Sequence, residues 1–185
     1  MKKLKTYKQL FEANNITELD CSKQNLSELP ELPETLTELY CYNNNLTELH
    51  VLPDTLIELY CYNNNLSELP QLPESLKILY CYNNNDITEL PQLPDTLEIL
   101  TCYKNNLTEL PQLPESLKIL SCEDNNISEL PQLSETLEIL SCYNNNLPYD
   151  DLEGYWEWYH EYYPVNYPEK YKNFMSKKKQ KDFNL

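Results

Sequence analysis

The sequence predicts an elongated solenoid with a curved parallel β-sheet on its concave side, an extended, polyproline-like convex side, and a helical cap at each end. Three observations predict it. The stretch LPETLTELYCYNNNLTEL, residues 32 to 49, recurs as near copies from residue 16 to residue 147. Cys21, Cys41, Cys61, Cys81, Cys102, Cys122 and Cys142 mark a period of twenty residues, with one spacing of twenty-one caused by the extra Asp86. The connecting limbs, such as LPQLPES, carry two prolines within four residues, which removes backbone donors and excludes a helix there. A unit of this length cannot bury its apolar face alone, so the copies must stack on one another.

The elements follow in chain order. Residues 1–15 form an N-terminal cap, because Leu4, Tyr7, Leu10 and Phe11 share one helical face and lysines the other, which suits covering the first coil. The opening MKKLKTYKQLFEANN has no apolar run of signal-peptide length, and no later segment is apolar enough to span a membrane. The expected location is an intracellular, reducing compartment. The Asn-x-Ser/Thr triplets are then products of the repeat rather than glycan acceptors.

Residues 16–148 comprise seven repeats of about twenty residues, with the skeleton Leu36, Leu39, Cys41, Asn44, Leu46 and Leu49 in the second. Leu39-Tyr40-Cys41-Tyr42 reads as a strand with Leu39 and Cys41 inward and Tyr40 and Tyr42 outward. Asn44, Asn64, Asn84, Asn105, Asn125 and Asn145 are expected to be buried, with their amides bonded to the backbone of their own and neighbouring coils. Gln24 takes that place in the first repeat, so a looser turn is expected there. The cysteines form no C-x-x-C pair, and the only histidines are His50 and His160, which argues against zinc. They read as small buried hydrophobes, and parallel side chains about 4.8 Å apart are poorly oriented for a disulfide, so all seven thiols are expected to be free.

After Cys142 the repeat grammar stops. Residues 149–176 form an aromatic-rich helical cap, with Leu152, Trp156, Tyr159 and Tyr163 as the stripe that covers the last coil. A second helix is expected from Pro168 through Tyr171, Phe174 and Met175. Trp158, Tyr162 and Tyr167 exceed what one cap buries and offer a surface for a weak homodimer. Residues 177–185 are a basic flexible tail, whose deletion is expected to leave melting almost unchanged.

The pattern L-P-x-L-P-x-x-L-x-x-L-x-C-x-x-N-x-L resembles the bacterial-type leucine-rich repeat, the shortest class, found in secreted bacterial effectors. The cysteine, asparagine and tyrosine bias is similar to that of short leucine-rich-repeat proteins encoded by large DNA viruses. The resemblance covers about seven tenths of the chain. It implies a leucine-rich-repeat solenoid that binds proteins, and its viral side implies the host cytoplasm or a virion.

Charge and motifs narrow the function. The chain carries a formal net charge of −16 and no arginine, which argues against binding nucleic acid through the solenoid and suits a basic partner. Glu28, Glu48, Glu68, Glu89, Glu109 and Glu129 form one carboxylate row, and Glu34, Asp54, Glu74, Asp95, Glu115 and Glu135 another. They run along ridges instead of converging, so no metal site is read from them. No paired acid and base, nucleophile triad or phosphate loop is present, and Gly154, the only glycine, lies outside the repeats. The expectation is a non-enzymatic chain with no cofactor, no small-molecule substrate and no membrane association.

The outward strand positions are the candidate site. Tyr40, Tyr42, Tyr60, Tyr62, Tyr80, Tyr82 and Tyr103, flanked by Glu38 and Glu58, form an amphipathic aromatic patch suited to a basic or extended protein partner. Tyr40, Tyr60, Tyr62 and Tyr82 are its centre. Stacking between duplicated repeats accounts for the same rings without any partner. The protein is expected to be a monomer or a weak homodimer through the C-terminal cap. One alternative is a self-associating structural protein, such as a virion component. A lesser one is an effector-like ubiquitin-ligase adaptor, opposed by the placement of every cysteine in the repeat core.

Overall fold

The computed structural model describes residues 16–84 and 86–162. Its body is one sheet of seven parallel strands in sequence order: β1 (Glu18–Asp20), β2 (Glu38–Tyr40), β3 (Glu58–Tyr60), β4 (Ile78–Tyr80), β5 (Ile99–Thr101), β6 (Ile119–Ser121) and β7 (Ile139–Ser141). The register is invariant: Leu39 faces Leu19 and Leu59, and so on along the sheet. A constant repeat length dictates this, since equivalent residues must lie side by side.

The strands begin and end earlier than the predicted Leu39–Tyr42. The inter-strand bonds nevertheless continue past the third residue: the Cys41 N–H donates to the Tyr60 carbonyl at 2.9 Å and the Asn43 N–H to the Tyr62 carbonyl at 3.0 Å. The chain then bends, because Asn43 and its equivalents Asn63, Asn83, Lys104, Asp124 and Asn144 adopt left-handed backbone with φ between 52° and 55°. The inward–outward alternation holds: Leu39 and Cys41 are buried, while Tyr40 and Tyr42 are half-buried.

Each coil adds Leu36, Leu39, Cys41, Leu46, Leu49 and Leu52, or their equivalents, to one continuous core. Asn44 locks the coil as expected. Its Nδ2 donates to the carbonyls of Cys41 and Cys21, and its Oδ1 accepts the N–H groups of Gln24 and Leu26. In the first repeat both Lys23 and Asn25 have positive φ, so that turn departs from the others. The insertion is absorbed outside the sheet: Asp86 is exposed and donates its N–H to the Asn84 carbonyl at 2.8 Å, and Ile87 resumes the core.

The convex limb contains no helix among the described residues. It turns tightly, with the Leu36 N–H on the Pro33 carbonyl at 3.0 Å, and the turn repeats at Leu56, Leu76, Leu97 and Leu117. A hydroxyl inside each turn ties neighbouring coils together. Thr55 Oγ1 donates to the Glu34 or Leu36 carbonyl, and Ser75, Thr96, Ser116 and Thr136 repeat the arrangement. The repeated Ser/Thr just before the turn leucine carried this signal in the sequence.

The sheet is closed at β7 by residues 150 and 151. The Cys142 N–H donates to the Asp150 carbonyl at 2.8 Å, and Ser141 bridges Asp151 in antiparallel sense. This pairs an edge that would otherwise be open to another chain. Helix α1 (Leu152–Tyr162) follows, with Asp151 Oδ1 accepting the Gly154 N–H at 2.8 Å as its N-cap.

Here the predicted stripe is revised. Trp156 is buried and Leu152 half-buried, but Tyr155 and Tyr149 are buried too. Trp158 is not left over: it packs on the core, with its ring centroid 5.3 Å from Tyr149 and 6.3 Å from Tyr155. The apolar face of α1 therefore includes the Tyr155 and Trp158 side beside Leu152 and Trp156. The N-terminal cap, the second helix from Pro168, the basic tail, and the side chains of Tyr159, Tyr162, Tyr163 and Tyr167 lie outside the described residues. No described helix is long and apolar enough to cross a membrane.

Candidate functional site

Parallel register turns each outward strand position into a column across the sheet, one side chain per coil. Every predicted site residue falls in one of three adjacent columns on the same face. Glu38 and Glu58 stand in the first, Tyr40, Tyr60 and Tyr80 in the second, and Tyr42, Tyr62, Tyr82 and Tyr103 in the third.

The third column is a continuous stack. Ring centroids are 4.6 Å apart for Tyr42 and Tyr62, 4.3 Å for Tyr62 and Tyr82, and 4.2 Å for Tyr82 and Tyr103, with planes within 10° of parallel. Both ends carry a cation of the same chain. Lys23 Nζ lies 5.6 Å from the Tyr42 ring and Lys104 Nζ 6.0 Å from the Tyr103 ring, each attracted by the negative ring face. Sequence reasoning missed these lysines, because their reach depends on the left-handed turn next to each ring.

The second column is organised differently. Tyr40 and Tyr60 stack at 4.7 Å, but Tyr80 meets Tyr60 edge-on at 4.9 Å and 85°. Tyr40 Oη donates to Glu38 Oε2 at 2.8 Å and Tyr60 Oη to Glu58 Oε2 at 2.9 Å. The repeated Glu-Leu-Tyr triplet foreshadows this contact, since residues two apart on a strand share a face. Burial first, and then the bond to the Glu38 carboxylate, push the Tyr40 phenol up to about 12. The same two causes raise Tyr60 against Glu58, while burial leads the rise at Tyr62 and Tyr82. These raised phenols are neutral at physiological pH, and the Tyr40 and Tyr60 hydroxyls hold the Glu38 and Glu58 side chains in place.

Beyond the fourth coil the face changes. Thr101, Ser121 and Ser141 replace the second-column rings, and Glu123 interrupts the third column before Tyr143, which is 44% exposed. Glu123 Oε2 is buried without a hydrogen-bond partner, unlike any other buried side-chain oxygen or nitrogen of the described residues.

The other candidates are quiet. Both carboxylate rows are exposed on the convex side, and no described group of three or more His, Cys, Asp or Glu side chains is placed to hold a metal. All seven cysteines are free and buried, and burial pushes the Cys21, Cys81 and Cys142 thiols up to about 12. A thiol so desolvated is a poor nucleophile at neutral pH.

No protein-family model and no curated protein matches the chain. Solved structures do. YopM from Yersinia enterocolitica WA-314 is 38% identical, with a TM-score of 0.72 over 75% of this chain and 31% of its own. A Shigella effector leucine-rich-repeat domain is 37% identical, with a TM-score of 0.64 over 71% of this chain and 60% of its own. InlJ from Listeria monocytogenes, whose functional domain includes a cysteine ladder, is 33% identical, with a TM-score of 0.69 over 78% of this chain and 34% of its own. The chain thus spans less than two thirds of the length of each. Neighbours of this kind support a protein-interaction module in general terms. With its twenty-residue repeat, its seven-stranded parallel solenoid and these likenesses, the chain is a leucine-rich-repeat protein of the bacterial type.

Proposed function

We propose that this protein is a non-catalytic interaction module that binds a basic or extended protein partner through the tyrosine-rich concave face. The observation that carries this reading is the pair of adjoining tyrosine columns, held in register by the sheet yet left half-exposed, with Glu38 and Glu58 fixed beside them. A surface ordered before binding loses little side-chain entropy on contact, and tyrosine combines apolar area with a polar tip. Free buried thiols fit a reducing compartment, in which such a module would act inside a cell. Packing of Trp158 against Tyr149 favours the concave face over the C-terminal aromatic region as the interface.

The test changes Tyr40, Tyr60, Tyr62 and Tyr82 together to Ser and measures capture of the cognate partner from the producing cell, with circular dichroism as the check on folding. Capture should be lost. The same change at the convex Gln71, Gln92 and Gln112 should leave it intact. Capture that survives loss of the tyrosines but fails after Trp158→Ser would move the interface to the cap and overturn the assignment.

A further inference from the structure

The first outward column changes chemistry once, between β3 and β4. Glu18, Glu38 and Glu58 lie side by side, then Glu58 pairs with Ile78, and Ile99, Ile119 and Ile139 complete the row. The second column changes at almost the same place, from the rings of Tyr40, Tyr60 and Tyr80 to the small hydroxyl side chains of Thr101, Ser121 and Ser141. The face is therefore acidic and aromatic over its first half. Over its second half the first two columns become an aliphatic row beside small hydroxyl side chains, with Tyr103, Glu123 and Tyr143 continuing the third column at its margin.

Both halves are accessible and both lack a covering element among the described residues. Glu38 and Glu58 each use one carboxylate oxygen on a tyrosine, leaving the other for a donor from outside. Ile139 is 52% exposed, and Ile78, Ile99 and Ile119 are half-exposed at the same strand position. A row of aliphatic side chains on an open sheet face, continuing the carboxylate row end to end, is poorly suited to water alone.

Taking the concave face as the binding surface, we infer that its ligand is a linear protein segment in two blocks. A basic block lies on Glu18, Glu38 and Glu58, and an aliphatic block lies on Ile99, Ile119 and Ile139. Charge complementarity fixes the first half and apolar contact the second, so the segment binds in one orientation along the solenoid. Six strand steps of about 4.8 Å span roughly 29 Å, the length of about nine extended residues. Alternate side chains of such a segment face the sheet. The hydroxyls of Thr101, Ser121 and Ser141 can meet its backbone where the tyrosine rings are absent.

The experiment uses the full chain and two labelled nine-residue peptides of one composition, read by fluorescence anisotropy. In the first, arginines precede leucines in separate blocks with serines between, and in the second the arginines and leucines are intermixed. The block peptide should bind at least about tenfold tighter. Glu38→Gln with Glu58→Gln, which can still accept the tyrosine hydroxyls, should weaken it about tenfold at low salt and much less at high salt. Ile119→Ser with Ile139→Ser should weaken it at every salt concentration. Equal binding of the two peptides, or no saturable binding of either, overturns the two-block ligand. So does block-peptide affinity that rises sharply when residues 177 to 185 are removed, since the occupant would then be the chain's own basic end. The tyrosine variant's capture of its cognate partner is a separate readout: loss of capture with equal peptide binding retains the concave interface and rejects only the ligand inferred for it.

Discussion

Asn64 shows what one side chain contributes to a coil. It is 4% exposed, its Nδ2 donates to the carbonyls of Cys41 and Cys61 at 3.0 Å, and its Oδ1 accepts the Leu46 N–H at 3.1 Å. Asn64→Ala leaves these buried groups without partners, at about 1–3 kcal/mol each, so a loss of at least about 3 kcal/mol is expected in urea unfolding. Asn64→Asp should be worse at neutral pH, since a carboxylate oxygen would then face two carbonyls. An aspartate variant milder than the alanine would show that the donor arm is dispensable. Lys104 is the opposite case, a residue poorly matched to its backbone. At φ 52° it occupies the left-handed position that Asn or Asp fills in the second, third, fourth, sixth and seventh coils. A run of side-chain bonds along that position, Asn63 to Asn43 at 2.7 Å and Asn83 to Asn63 at 2.5 Å, stops at Lys104. Lys104→Asn relieves part of a strain of about 1–2 kcal/mol and loses a cation on Tyr103. A net gain of about 0.5 kcal/mol, read as a higher melting temperature, is expected.

At the scale of the element, the cysteine column makes the sheet sensitive to alkali. The Cys21, Cys81 and Cys142 thiols are raised from an ordinary 9.0 to about 12, with burial the main cause, and Cys41, Cys61, Cys102 and Cys122 are raised the same way. A raised folded value means that the unfolded chain releases protons first as pH climbs, so it binds fewer protons there and stability falls. Their contribution is complete below pH about 9 and is lost between about 9 and 12. Urea midpoints should be level from pH 7 to 8 and then drop steeply as the pH climbs past about 9. Midpoints unchanged up to pH 11 would mean that thiolates are tolerated in the core.

For the whole molecule, each coil packs on its immediate neighbours, so stability is a sum of coils and the interfaces between them. Deleting residues 62 to 81 joins Cys61 to Tyr82, which is the equivalent of Tyr62, and removes β4 without disturbing any register. The shortened chain should keep its circular dichroism per residue and unfold in one transition. A lower midpoint and a smaller urea dependence should follow, because less surface is buried. A collapse of the spectrum would show that the coils do not act as interchangeable units.

The repeat made much of this legible in advance. Contacts across the sheet connect residues one period apart, so a period read from seven cysteines already names the core leucines, the buried asparagines and the three outward columns. The tertiary structure decided what a period cannot encode. Whether Tyr60 stacks on Tyr40 or meets Tyr80 edge-on depends on ring rotamers, and the lysines over Tyr42 and Tyr103 depend on how a turn aims a long side chain. The C-terminal helix was the least legible element. There the repeat ends, no neighbouring copy constrains which face turns inward, and only packing placed Tyr149, Tyr155 and Trp158 together over the last coil.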